Sequence, residues 1–192
     1  EEPERAAALI AMANLETGLP SEPRLKNELL LRTVDQLRQA ANAARDGSWA
    51  MSTIDRKNNI RSILAPIGPV VVFGPNNFPF AFNGVCGGDF AAAIAAGNPV
   101  IAKAHTCHPG TTRLLAEAAS EAAQKCNMPS GFFQLIYHME PQDGLQLVSH
   151  NLIGASTFTG SKAGLKLKVA ADEVGKPFYF EGGGINPVVI LP

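Results

Sequence analysis

Four short clusters of polar residues stand where runs of apolar sequence end, and each carries a group that could meet a ligand. The first follows Val70-Val-Val-Phe73, where Gly74-Pro75 turns the chain into Asn76-Asn77-Phe78-Pro79. A side-chain amide at the carboxyl end of a strand lies where ligands of open α/β sheets sit. Lys103 ends a second apolar run, Val100-Ile-Ala-Lys103, and Thr106 follows three residues on. The plainer alternative for a terminal lysine is an ammonium that simply reaches water. Phe158-Thr-Gly-Ser161 forms the third cluster, with a helix expected to start at Ser161. The unpaired amides of a helix start suit a diphosphate, although Ser161 could equally cap that helix with no ligand present. The fourth is Glu181, ahead of Gly182-Gly-Gly184. Glycines there allow close backbone approach, and a carboxylate just before them enters a tight, partly dry site. A surface glutamate at a glycine turn is the alternative.

Other chemistries find weaker support. His105, Cys107 and His108 are donor types that bind zinc, but neighbours so close rarely reach one ion, and no second pair completes four ligands. No metal is therefore expected. Cys86 and Cys126 fall inside helical patterns and read as small core residues. Neither a phosphate-binding P-loop, a Gly-x-Ser-x-Gly elbow nor a Gly-x-Gly-x-x-Gly fingerprint is present.

The elements that must position these clusters follow from periodicity. Residues 4–16 read as a helix closed by Gly18 and Pro20, and Leu30, Val34, Leu37, Ala41 and Ala44 mark a second that stops at Asp46-Gly47. Residues 48–64 alternate instead. Trp49, Met51 and Thr53, then Ile60, Ser62 and Leu64, flank a polar 55–59 tip, as in a β-ribbon. From Pro66 onward strands (70–73, 100–103, 133–137, 152–158, 178–180, 188–191) alternate with helices (84–96, 112–126, 144–150, 161–172). That grammar predicts an α/β fold, an open doubly wound parallel sheet covered on both faces. A chain of 192 residues can hold one such domain. A net charge of −1 without a basic cluster speaks against nucleic acid or an anionic membrane surface as partner. No apolar run approaches the roughly 20 residues of a membrane helix. Three cysteines without C-x-x-C spacing suit reduced thiols in a cytoplasm. The start at Glu1 and the closing Val188-Val-Ile-Leu-Pro192 read as an internal piece of a longer polypeptide.

Taken together and in register, Pro75-Asn-Asn-Phe-Pro79, Lys103, Phe158-Thr-Gly-Ser161 and Glu181-Gly-Gly-Gly184 resemble the motifs of the aldehyde dehydrogenase superfamily. Leu15-Glu-Thr-Gly-Leu-Pro20, Lys103-Ala-His105, His108-Pro-Gly110 and Ile185-Asn-Pro187 are similar to its 2-oxoglutarate semialdehyde and fatty aldehyde branch. The resemblance implies a Rossmann-like cofactor domain in three parts. These are N-terminal helices (1–47), a β-ribbon of the oligomerisation element (48–65) and an NAD(P)-binding α/β region (66–192). It implies oxidation of an aldehyde to its acid with reduction of NAD or NADP. Asn77 would hold the oxyanion and Glu181 would activate water, while Lys103, Thr106, Thr159, Gly160 and Ser161 would contact the cofactor. NADP is favoured, because Thr106 stands where many NAD-preferring members carry a glutamate. Gly182 replaces the usual leucine and is expected to loosen the turn after Glu181. A homodimer or homotetramer is implied, with the ribbon at its interface. The nucleophilic cysteine is expected beyond Pro192, so residues 1–192 alone should not oxidise aldehydes. The competing reading is a dinucleotide-binding module without catalysis.

Overall fold

The computed structural model describes residues 2–184 and 187–190. At the amino end, the alanine-rich stretch forms helix α1 (Pro3–Thr17), which Gly18 closes in the left-handed conformation at φ 70°. The chain then winds through π-type turns, Ser21–Leu25 and Glu28–Thr33, straight into α2 (Val34–Asp46), closed in the same way by Gly47.

The ribbon is shorter than its alternating pattern predicts. Strand β1 (Thr53–Asp55) pairs antiparallel with β2 (Ile60–Ser62), and Ile54, Ile60, Ile63 and Leu64 are exposed. Asp55 receives the backbone N–H of Asn58 at 3.0 Å and its side-chain amide at 2.7 Å, which holds the carboxyl below its usual range. Trp49 is not on a ribbon strand. It lies in a 3-10 turn (Ser48–Ala50) and lines the groove between α2 and the later helix of residues 88–95, where Ala40, Ala43 and Ala92 leave room for an indole.

The main sheet has five parallel strands. In chain order they are β3 (Val70–Phe73), β4 (Val100–Lys103), β5 (Phe133–Ile136), β6 (Ala155–Gly160) and β7 (Phe178–Gly182), and across the sheet β5-β4-β3-β6-β7. Between them run α3 (Gly88–Ala95), α4 (Pro109–Lys125), α5 (Pro141–Ser149) and α6 (Gly164–Glu173). Because strand side chains alternate in direction, the valine run of β3 feeds two cores. Val70 and Val72 join Leu9, Leu25, Leu29, Phe90 and Leu115 on one face. Val71 and Phe73 join Val148, Ala171 and Phe178 on the other. A strand buried on both faces must be apolar throughout, and all four residues of β3 are buried. The expected doubly wound sheet is therefore present, and its strand order reverses between β3 and β6.

Local departures have identifiable causes. The apolar run from Gly84 becomes helical only at Gly88. Asn83 donates to Pro79 O at 2.8 Å and to Thr112 Oγ1 at 3.0 Å, and its Oδ1 accepts from Val85 N. These tertiary bonds hold a turn in which Cys86 takes φ 67°. Conversely, α4 and α5 start earlier than periodicity predicts, each at a proline that suits a first helical turn. Leu152 is exposed in a turn, and β6 runs on to Gly160 because β7 pairs with it there, Thr159 beside Glu181 and Gly160 beside Gly182. That pairing delays α6 to Gly164, so Ser161 lies in the preceding turn rather than at a helix start. Val188–Ile190 form no strand and are exposed, with no neighbouring strand among the described residues; Leu191 lies outside them. No described helix is long and apolar enough to cross a membrane.

Candidate active and cofactor site

The order reversal between β3 and β6 splays the loops at their carboxyl ends, and a cleft of about 590 Å³ opens there. Phe73 and Phe158 contribute aromatic surface, with ring centroids 5.8 Å apart. Its rim consists of the turn Gly74–Asn77 after β3, Lys103, His105 and Thr106 at the end of β4, and Thr159, Gly160, Ser161 and Ala163 at the end of β6. Six of the seven residues singled out by sequence therefore meet in one place. Glu181, the seventh, does not line the cleft. It is exposed on β7, in register beside Thr159. Among the described residues its carboxylate is exposed, because β7 is the outer strand and nothing described covers it. Gly182 is also not in a turn. It ends β7 opposite Gly160, and a Cβ there would come within 2.8 Å of the Phe180 ring.

The turn after β3 needs its glycine. A Cβ on Gly74 would sit 2.4 Å from the carbonyl oxygen of Phe82. At the opposite wall Gly160 adopts φ 152°, a conformation that L side chains rarely take. Lys103 is half-buried, and burial lowers its pKa, so its ammonium is under-hydrated and gains from an anionic ligand. Flat aromatic surface, one under-hydrated cation and hydroxyls on the rim fit a nucleotide.

Two histidines that the sequence offers only as metal donors and motif members have a structural role here. His108 is buried, with Nε2 3.0 Å from Pro75 O and Nδ1 3.3 Å from Thr112 Oγ1, and it ties the turn after β3 to α4. His105 stacks on it at 5.3 Å and lines the cleft. The Cys107 N–H donates to His105 Nδ1 at 3.1 Å, so the neutral ring carries its hydrogen on Nε2. Its pKa falls to about 4, first from burial and then from His108 and Lys103. Since the folded protein favours the neutral ring, the unfolded chain binds the proton first on acidification. His105 thus contributes stability that is complete above the ordinary value of 6.5 and lost as pH falls toward about 4. In a histidine-resolved NMR titration its ring keeps the neutral-form signal at about pH 5.5; a midpoint near 6.5 would refute this arrangement. Among the described residues no three His, Cys, Asp or Glu side chains are grouped so as to hold a metal ion.

No cysteine lines the cleft. Cys86 is half-buried in its turn, and burial pushes its thiol up to about 12. Cys107 and Cys126 are exposed. For Cys126 this corrects the expectation of a core residue: α4 ends at Lys125, and the cysteine follows as its exposed cap.

The fold is a doubly wound α/β domain with a cleft at its crossover point, and comparison with known proteins specifies it further. The sequence profile of the aldehyde dehydrogenase family matches residues 3–192. Alpha-ketoglutaric semialdehyde dehydrogenase 2 of Azospirillum brasilense is 44% identical over 96% of this chain and 37% of its own length. The alpha-ketoglutaric semialdehyde dehydrogenase of Acinetobacter baylyi is 38% identical over 94% of this chain and 36% of its own. The crystal structure of aldehyde dehydrogenase 21 from Physcomitrella patens, in complex with the reaction product succinate, superimposes with a TM-score of 0.78 at 25% identity. It covers 94% of this chain and 37% of that one. The chain belongs to the aldehyde dehydrogenase family, and it spans a little over a third of the length of these relatives.

Proposed function

We propose that this chain is the coenzyme-binding portion of an enzyme that oxidises an aldehyde to its carboxylic acid. The observation that carries this reading is the convergence of Asn77, Lys103, Thr106 and Thr159–Ser161 on one cleft at the sheet's crossover. A carboxylated semialdehyde such as α-ketoglutaric semialdehyde is the first substrate to test, given the names of the two relatives, and a fatty aldehyde the second. The bound nicotinamide coenzyme supplies the hydride acceptor.

In this reading the chain's own residues bind, orient and polarise. Lys103 and Thr106 hold the ribose end of the coenzyme, and the Thr159-Gly160-Ser161 backbone and hydroxyls hold its diphosphate. The Asn77 amide donates to the oxygen of the aldehyde as a thiolate adds to the carbonyl carbon and charge builds on that oxygen. Glu181 takes a proton from the water that releases the acid. The thiolate has to come from a segment other than these residues, since no cysteine here reaches the cleft. That same observation favours the second reading, a dinucleotide-binding module without turnover. The exposed ribbon isoleucines and Leu64 support assembly into a dimer or tetramer, and three free thiols fit a reducing compartment such as the cytoplasm.

One preparation of the complete polypeptide tests these points. Incubated with α-ketoglutaric semialdehyde or octanal and NAD or NADP, it forms reduced nicotinamide, and it scatters light as a dimer or tetramer. Coenzyme binding without any turnover would establish the module instead, and a monodisperse monomer would remove the ribbon's role.

A further inference from the structure

The loop that carries Asn77 is clamped from the side opposite the cleft. Glu28 is 3% exposed, deep between the π-type turns and the loop, and a carboxylate so buried must be fully partnered. Its Oε1 accepts the backbone N–H groups of Phe80 and Ala81, each at 2.9 Å. Its Oε2 pairs with Arg24. The second arm of the Arg24 guanidinium donates to the backbone carbonyl of Asn77 at 2.8 Å. The same guanidinium lies 4.3 Å above the Phe78 ring, while Arg32 stands 4.8 Å from the Phe82 ring, which packs edge-on against Phe78 at 5.3 Å. Arg24 and Glu28 thus hold the backbone of three of the five residues from Asn77 to Ala81, Arg24 and Arg32 cover the Phe78 and Phe82 rings, and Asn77 lines the cleft.

From this geometry we infer that Arg24 and Glu28 are positioning residues for Asn77. The inference rests on the proposed role of Asn77 as oxyanion donor. Among the described residues the Asn77 amide has no protein partner to steer it, so its aim comes from its backbone. Arg24 is the only described side chain bonded to that backbone carbonyl, and Glu28 orients Arg24 while pinning the next amides. An error of about 1 Å in a reacting geometry can cost on the order of 10²-fold in rate. Packing alone would not demand this pattern, since an apolar filler could occupy the Glu28 site without requiring partners.

Arg24→Lys is the discriminating variant. It keeps a cation beside Glu28 but loses the planar fork that reaches Asn77 O at the same time. In the complete enzyme, with an aldehyde that the wild type oxidises, kcat falls by about 10- to 100-fold. Coenzyme Kd, read by quenching of nicotinamide fluorescence, stays within about twofold, because the clamp touches no coenzyme-binding residue. Asn77→Ala alone lowers kcat, and adding Arg24→Lys to it lowers kcat no further, since both changes remove one interaction. Equal fold losses from Arg24→Lys in both backgrounds, or none in the wild type, would overturn the clamp. A harmless Asn77→Ala would instead overturn the role of Asn77. Glu28→Gln gives a readout independent of turnover: amide exchange at Phe80 and Ala81 speeds up relative to β3. Unchanged exchange at those two amides also defeats the inference.

Discussion

Asn77→Ala in the complete enzyme lowers kcat by about 10²–10³-fold, the cost measured when one donor to an oxyanion is removed. The amide interacts weakly with a neutral carbonyl and strongly with the alkoxide that forms on thiolate attack, so its loss falls on the transition state. KM for the aldehyde therefore moves little, and kcat and kcat/KM fall together. Burial sets the size of the effect. Asn77 is exposed in the open cleft of this chain, where water competes for the same oxygen and a single donor is worth less. The full loss is expected only where the rest of the polypeptide closes over the cleft. Asn77→Asp separates charge from shape: it keeps the size but sets a carboxylate against the oxyanion, and it should be at least as damaging as alanine. A kcat within about threefold of wild type for Asn77→Ala would exclude the donor role.

Much of this was legible in the sequence, because its cause is local. The buried run of β3, the Gly18 and Gly47 helix stops and the strand-end position of Lys103 each follow from a few neighbouring residues. What stayed hidden depends on contacts between distant segments. Nothing near Ser161 says that β7 will pair with Thr159 and Gly160 and push the next helix start to Gly164. Trp49 matches a ribbon alternation, yet an alanine-lined groove offers more burial than an exposed strand would. The motif Leu15-Glu-Thr-Gly-Leu-Pro20 and the motif His108-Pro-Gly110 look independent along the chain, but they touch. Glu16 accepts Gly110 N at 2.7 Å and Thr111 N at 2.8 Å, satisfying the unpaired amides at the start of α4. A side chain on Gly110 would strike that carboxylate at 2.8 Å, which explains a small residue there. Glu28 was invisible for the same reason: its partners are Arg24 in the preceding turn and two amides more than fifty positions away.

If Lys103 and Thr106 hold the ribose end of the coenzyme as proposed, Thr106→Glu in the complete enzyme shifts the NADP:NAD ratio of kcat/KM toward NAD by about 10²-fold or more. A glutamate there would accept from both ribose hydroxyls and oppose a 2′-phosphate, a like-charge juxtaposition worth several kcal/mol, and each 1.4 kcal/mol is about tenfold. Threonine removes that charge and leaves a small hydroxyl at the cleft rim. Lys103, half-buried with its pKa lowered by desolvation, is the cation that a phosphate would reward, through a charge-assisted bond of roughly 1.5–3 kcal/mol. His105 beside it is held neutral and neither attracts nor repels the phosphate strongly. Avoiding the clash therefore outweighs the added bond, and the wild type should use NADP at least as well as NAD. The plainer role for Thr106, closing the turn after β4, has little support in the geometry. That turn is closed by His105, whose carbonyl accepts His108 N at 3.2 Å and whose Nδ1 accepts Cys107 N at 3.1 Å. If Thr106 were only a turn residue, Thr106→Glu and Thr106→Ala would leave the coenzyme ratio equally unchanged. A shift confined to the glutamate variant, together with a further loss of NADP use in Lys103→Met, is the expected result. An unchanged ratio in Thr106→Glu would defeat the expectation that NADP is favoured.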